Sequence, residues 1–569
     1  MKTLKQWFCW SGIASFLLGV VMTVALQAAD MRTVAVISVA DLDTAVKTLK
    51  SVTTQAGFPD AMAEAEMMLP ALQGYDLKQP VGIVILADDE SFSGYGFLPI
   101  SNLATMPGLG EMLAFGEKQA DGSIMIPLPM GPMPLQVYIK QSGKWAFVSV
   151  LELPKTLPTD PAKLLEGMDK QYLLGVKANV ANLPKDLCLD ALNGIRMMAE
   201  FGAPSEEQLE NLNAAFDQIE TLLVELKAFS FGVSVTAQND IVIDTSAEAV
   251  AGSVMAGDFA AMASFKTNQI GFYQPQDSIV AMLGTGILNA MVKKQYVSQL
   301  ASFFEGVREG IEDGDLDVDE MAAAKSVIDN VEAMLNSTIE SGKIDAGVTW
   351  RKNGTLLVGA TITDGGKLQQ ALEKSLVAVP EEFQQYVKLN VETFEGFAVS
   401  TIAVPMSLIP DPMGEMPKGL ASKTPTLQIA IKDTAIALAF GLDNTVLADL
   451  KMAITASKTP ANLPETVFAL TPGNLIDFAK LFTPSDPDQL EQFEQGMEML
   501  RAFPTDAKIT ATDLYSGNVN KSKVVVSGKL LPGIGKLVGM GIEAANTARD
   551  AARRFSEGYD DYDIDDFDF

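Results

Sequence analysis

The chain contains no histidine among its 569 residues. That removes the usual general base at neutral pH, the commonest zinc ligand, and every Ser-His or Cys-His nucleophile system. The histidine-free Ser-x-x-Lys arrangement is also missing. So are the Gly-x-Ser-x-Gly elbow, Cys-x-x-Cys and the P-loop. Gly-x-Gly pairs such as Gly284 and Gly286 occur without completing a dinucleotide fingerprint.

Cysteine is nearly absent: Cys9 and Cys188 are the two present. Cys188 stands in an apolar helical pattern between Leu187 and Leu189, and the expectation is a buried small hydrophobe. Without a histidine partner it is no candidate nucleophile.

Basic residues are outnumbered, 42 against 72 acidic, for a formal charge of −30. An acidic surface of this kind repels nucleic acid and anionic lipid. Hydrophobic residues at 48% and charged residues at 20% describe an ordinary folded chain rather than a disordered one.

The first 28 residues read as a signal peptide. Lys2 and Lys5 give the positive end, Trp10 to Leu26 an apolar run, and Ala28-Ala29 small residues at the cut. An uncleaved anchor is the rival reading, since the run approaches the length of a bilayer span. Loss of Lys2 and Lys5 leaves 40 basic residues against 72 acidic, a formal charge of −32. No later segment has the length of a membrane span, so a secreted or periplasmic location is expected.

What is present is repetition. Pro129-Met130-Gly131-Pro132-Met133-Pro134 returns as Pro412-Met413-Gly414-Glu415-Met416-Pro417. Each copy is followed by a similar strand, Leu135–Lys140 and Leu427–Lys432. Further matches join Pro204–Glu210 to Pro484–Glu491, and Leu226–Phe229 to Leu500–Phe503. A tandem duplication follows, with an N-terminal lobe over 32–265 and a C-terminal lobe over 266–532. A helix over 533–555 and an acidic tail over 556–569, expected to be disordered, complete the chain.

The lobes are expected to be α+β, each a mainly antiparallel sheet covered by helices, with a ferredoxin-like βαββ order. Val81-Gly82-Ile83, Phe231-Gly232-Val233 and Ala346-Gly347-Val348 each open a hairpin, so each lobe divides into two related units. Ser205 to Gln208 reads as a capping box ahead of an apolar stripe from Leu209 through Phe216 to Leu226. Ile270–Tyr273 reads as a strand followed by a helix with Asp277 near its start.

No catalytic or cofactor-binding residues are nominated and no cofactor is expected; the metal reading is left open. Asp313, Gly314, Leu316, Asp317 and Glu320 fit the later half of an EF-hand loop, but Glu309 and Ile311 do not fit its front. An acidic turn with Asp317 or Asp319 capping the next helix is the alternative. The methionines of the Pro-Met-Gly loops are either Cu(I) thioethers, an adaptable contact surface, or packing plugs.

The function expected is that of an exported, non-enzymatic binding or scaffold protein of the bacterial cell envelope, with a protein or small-molecule partner, no nucleic acid, and no membrane span once the signal is removed. A carboxylate-based hydrolase and an extracytoplasmic calcium- or copper-binding protein are the alternatives.

Overall fold

In the computed structural model the described residues are 31–557, apart from 70–71, 73, 101, 106–112, 129–134, 203–205, 313–316, 377–378, 380, 407–416, 422 and 485. The signal over 1–28, the Ser205 cap, Asp313–Leu316, the tail beyond 557 and both Pro-Met-Gly loops except Pro417 lie outside them.

The chain is a mixed helix and sheet protein, organised among the described residues on one sheet of 20 strands and a separate two-stranded ribbon. The first strands are β1 (Arg32–Val39), β2 (Val81–Ala87), β3 (Phe92–Leu98), β4 (Glu117–Lys118) and β5 (Ile124–Leu128). Then come β6 (Leu135–Ser142), β7 (Trp145–Ser149), β8 (Leu174–Ala178), β9 (Leu226–Val235) and β10 (Ile241–Ala249). The ribbon pairs β11 (Lys266–Thr267) with β19 (Ala461–Asn462). The rest of the sheet is β12 (Ser278–Ile287), β13 (Lys343–Arg351), β14 (Leu356–Thr361), β15 (Val387–Phe394) and β16 (Phe397–Ala403). It continues with β17 (Thr426–Lys432), β18 (Ala435–Gly441), β20 (Thr466–Leu470), β21 (Ile509–Ser516) and β22 (Val519–Val526).

All of these strands pair antiparallel. One arm runs β4-β5-β6-β7-β3-β2-β1-β8-β9-β10. The other runs β15-β16-β17-β18-β14-β13-β12-β20-β21-β22. The arms take their strands in the same relative chain order. They join where β10 pairs with β22, from Ile241 opposite Val526 to Glu248 opposite Val519.

Helices fill corresponding gaps. α1 (Leu42–Gln55) lies between β1 and β2, with Asp41 accepting from the Thr44 N–H at 2.9 Å as its cap. α2 (Lys185–Gly202) and α3 (Glu206–Glu225) separate β8 from β9, and α4 (Val254–Ala263) follows β10. α5 (Ala290–Glu312) and α6 (Val318–Glu340) lie between β12 and β13, and α7 (Gly365–Ser375) follows β14. α8 (Val446–Ala456), α9 (Pro487–Arg501) and α10 (Leu531–Glu557) complete the set used below. Among the described residues no helix is long and apolar enough to cross a membrane.

Strand alternation gives the sheet two buried faces. Val36 and Val84, paired across β1 and β2, pack with Phe97, Trp145 and Phe147. Their neighbours Ala35 and Ile85 face the other way, packing with Leu183, Cys188, Leu223 and Phe229 beneath α2 and α3. The hairpin glycines make room for large groups. A Cβ on Gly82 would meet the Phe97 ring at 2.3 Å, and one on Gly232 the Tyr172 ring at 2.4 Å. One on Gly347 would meet the Gln269 carbonyl at 2.7 Å.

Four expectations from the sequence are corrected. A ferredoxin-like unit holds apart the two strands joined by its helix, with another strand between them. Here β1 pairs directly with β2, and β12 with β13. Ile270–Phe272 is a 3-10 turn, and the segment after Asp277 is strand β12 rather than a helix. Its alternating burial over Ser278–Ile287 belongs to a sheet, not a helix stripe. Leu226 opens β9 instead of closing α3. The matched tetrapeptides also part company: Leu226–Phe229 is strand, whereas Arg501 ends helix α9 and Phe503 packs in a loop against Leu530.

The outer edges of the sheet are irregular. β4 has two residues, both exposed. β15 shifts register between Lys388 and Glu392, and Asn390 there has φ of 50° while its N–H donates to the Ser400 hydroxyl at 3.0 Å.

Candidate functional site

After α4 the chain passes from one arm to the other through Ser264–Phe272, and a buried carboxylate with several hydrogen bonds lies against this crossing. Asp345, on β13 two residues before Gly347, is 5% exposed. Its carboxylate accepts from the Thr267 hydroxyl at 2.6 Å, the Asn268 N–H at 2.8 Å and the Thr361 hydroxyl at 3.3 Å. Thr267 in turn accepts from the Gln269 N–H at 2.9 Å, and the Gln269 side-chain amide donates to Thr361 at 3.1 Å. Each hydroxyl thus donates once and accepts once. A buried carboxylate is costly unless its lone pairs are occupied; here three donors occupy them and pin the ribbon strand β11 to the sheet.

Two cavities open beside this network. One, of about 570 Å³, is lined by Ala261, Phe265, Lys266, Asn268, Ile287, Lys343 and Pro460, with Asp345 and Thr361 at its wall. The other, of about 350 Å³, shares Asn268 and Thr361 and adds Phe397, Glu395, Lys432 and Lys458. Lys458 pairs with Glu395 at 2.9 Å, and the Lys432 ammonium stands 4.4 Å from the centre of the Phe397 ring. Both volumes lie in the range of small-molecule sites. Next to the crossing, burial pushes the Tyr273 hydroxyl up to about 12, and that hydroxyl has no hydrogen-bond partner among the described residues.

The features singled out in the sequence are elsewhere. Cys188 is a buried free thiol in the core under α2, pushed up to about 11 by desolvation. Asp317 and Glu320 form a reciprocal cap at the start of α6. The Glu320 N–H donates to the Asp317 carboxylate at 2.8 Å, and the Asp317 N–H to the Glu320 carboxylate at 3.2 Å. Among the described residues no group of three or more metal-ligating side chains could hold an ion. The Pro-Met-Gly loops lie outside the described residues up to Pro417, which leads into the short helix Lys418–Ala421.

Sequence reasoning missed the cleft because its walls come from segments as far apart as Ala261 and Pro460. One signal was available. The residue two places before the hairpin glycine is Pro80 in the first unit and Ser230 in the second, but Asp345 in the third. Asp345 is thus the charged residue at a position that is uncharged in the other two hairpins. Compared with known proteins, the chain matches no family model, and no curated protein and no solved structure matches it.

Proposed function

We propose that this chain is an exported, non-enzymatic binding protein of the bacterial cell envelope, built from two copies of one α+β module and holding a small molecule in the cleft beside Asp345. The export reading rests on the N-terminal pattern and the acidic balance. The duplication is supported by the matching strand order of the two arms and their junction through β10 and β22.

The cleft carries the binding reading. Its 570 Å³ volume, largely apolar wall and flanking lysines have the composition of a ligand site. Its buried carboxylate is committed to Thr267, Asn268 and Thr361, so it holds the wall in place rather than standing free as a general base.

Native mass spectrometry of the full chain, purified gently from the periplasmic fraction of an expressing bacterium, tests this. A single small-molecule adduct is expected, lost in Ala261→Trp, which fills the cavity. Retention of the protein in the cytoplasm would refute export; an adduct unaffected by Ala261→Trp would refute the cleft.

A further inference from the structure

We propose that the cleft selects a small amphiphile with a single anionic head, carboxylate or phosphate, and an apolar body. This rests on the cleft being a binding site and names what it takes. Lys266 lies on the ribbon opposite Asn462, and Lys343 lies at the start of β13 opposite Ile287. Both line the larger cavity. Among the described residues neither lysine has an ion-pair partner, while nearby Lys458 is held by Glu395. Two lysines lining one cavity leave a positive field that an anionic head neutralises.

The rest of the lining has the opposite character. Ala261, Phe265, Ile287 and Pro460 offer apolar surface and no charge. A fully polar anion would leave that surface wet, and a neutral apolar molecule would leave the lysines unanswered. A cation would meet two like charges. The only acidic group on the wall, Asp345, is turned into hydrogen bonds with Thr267, Asn268 and Thr361. At the shared wall Asn268 offers a polar contact to a head group from either cavity.

The test is direct titration of the full chain with octanoate, octyl phosphate, octan-1-ol and octylamine, repeated on Lys266→Gln/Lys343→Gln. Both lysines are exposed, so this variant is expected to fold, and its unmodified melting midpoint checks that. At least one of octanoate and octyl phosphate should bind, about tenfold or more weaker in the double variant. Whichever of the two binds more tightly identifies the head group. Equal binding to wild type and double variant, or binding of neither anion, overturns the proposal. Binding of octan-1-ol or octylamine alone, lost in Ala261→Trp, overturns the anionic class and leaves the cleft as a ligand site. Silence from all four probes, together with no adduct in native mass spectrometry, removes both.

Discussion

Asn182 and Asn474 make the same hydrogen bond in the two arms. The Asn182 side-chain amide donates to the Thr33 carbonyl at 2.9 Å, and that of Asn474 donates to the Ser278 carbonyl at 2.8 Å. Beside them the Asn179 N–H reaches the Val34 carbonyl at 2.7 Å, and the Thr471 N–H reaches the Ile279 carbonyl at 2.8 Å. In both arms, the loop after the strand next to the opening strand is stitched to that opening strand's start.

Removing either amide should therefore destabilise its arm. Asn474 is 8% exposed and Asn182 half-buried, so Asn474→Ala should cost more, about 2 kcal/mol against about 1. Denaturant unfolding of the two variants measures this. A loss below measurement error in Asn474→Ala would show that the stitch does not hold the strand.

Asp345→Ala leaves two hydroxyls and a backbone N–H without their shared acceptor, at a cost of about 3 kcal/mol. Asp277→Ala, which breaks the exposed pair with Lys352, should leave stability almost unchanged because solvent screens that pair. Hydrogen exchange at Thr267–Gln269 should quicken only in the first variant. Unchanged exchange there would mean that the ribbon is held by other contacts.

The last helix seats directly on the first. A Cβ on Gly535 would lie 1.6 Å from the Ala56 carbonyl oxygen, just past the end of α1. Gly535→Ala must push α10 away, and a loss of about 2 to 3 kcal/mol is expected. Gly541 faces open space, so Gly541→Ala should gain up to about 1 kcal/mol through helix propensity. Melting midpoints that move the same way in both variants would contradict the close contact.

Burial raises the Asp513 carboxyl above its ordinary 3.8, against a smaller lowering by the Ser522 hydroxyl. The folded chain thus holds that proton more tightly than the unfolded one. Its contribution to stability should grow as pH falls through the raised value and level off below 3.8. Asp513→Asn removes that pH term. Stability against pH, measured by denaturant from neutral down to mildly acidic conditions, should have different slopes in wild type and variant; parallel curves would refute the assignment.

Desolvation keeps Cys188 protonated at neutral pH. A thiol reagent should label it only as fast as the core beneath α2 opens, and rapidly in denaturant. Prompt labelling at Cys188 in the native chain would place that thiol at the surface.

Much of the architecture was legible in the residues. Hairpin turns such as Ser142-Gly143 and Asn353-Gly354 were readable because glycine adopts the left-handed conformation there, with φ of 59° at Gly143 and 88° at Gly354. β12 was not, because Ile279-Val280-Ala281-Met282-Leu283 is a continuous apolar run and such a run does not reveal its period. Leu226 extends the apolar spacing of α3 although the chain has already turned to strand, so periodicity placed the boundary late. The cleft was the least legible part. Lys266 and Lys343 are ordinary surface-type residues in sequence, and only the pairing of β13 with β12 and of β11 with β19 brings them to one cavity beside Asp345.

The irregular outer strands carry a consequence for assembly. An antiparallel sheet this long presents a bare row of backbone donors and acceptors at each end, on which another molecule can crystallise as one more strand. A two-residue β4 offers too short a template, and the kink at Asn390 with Lys388 and Glu392 beside it breaks the rail along β15. Among the described residues, both ends of the sheet are thus poor templates for the addition of a further strand.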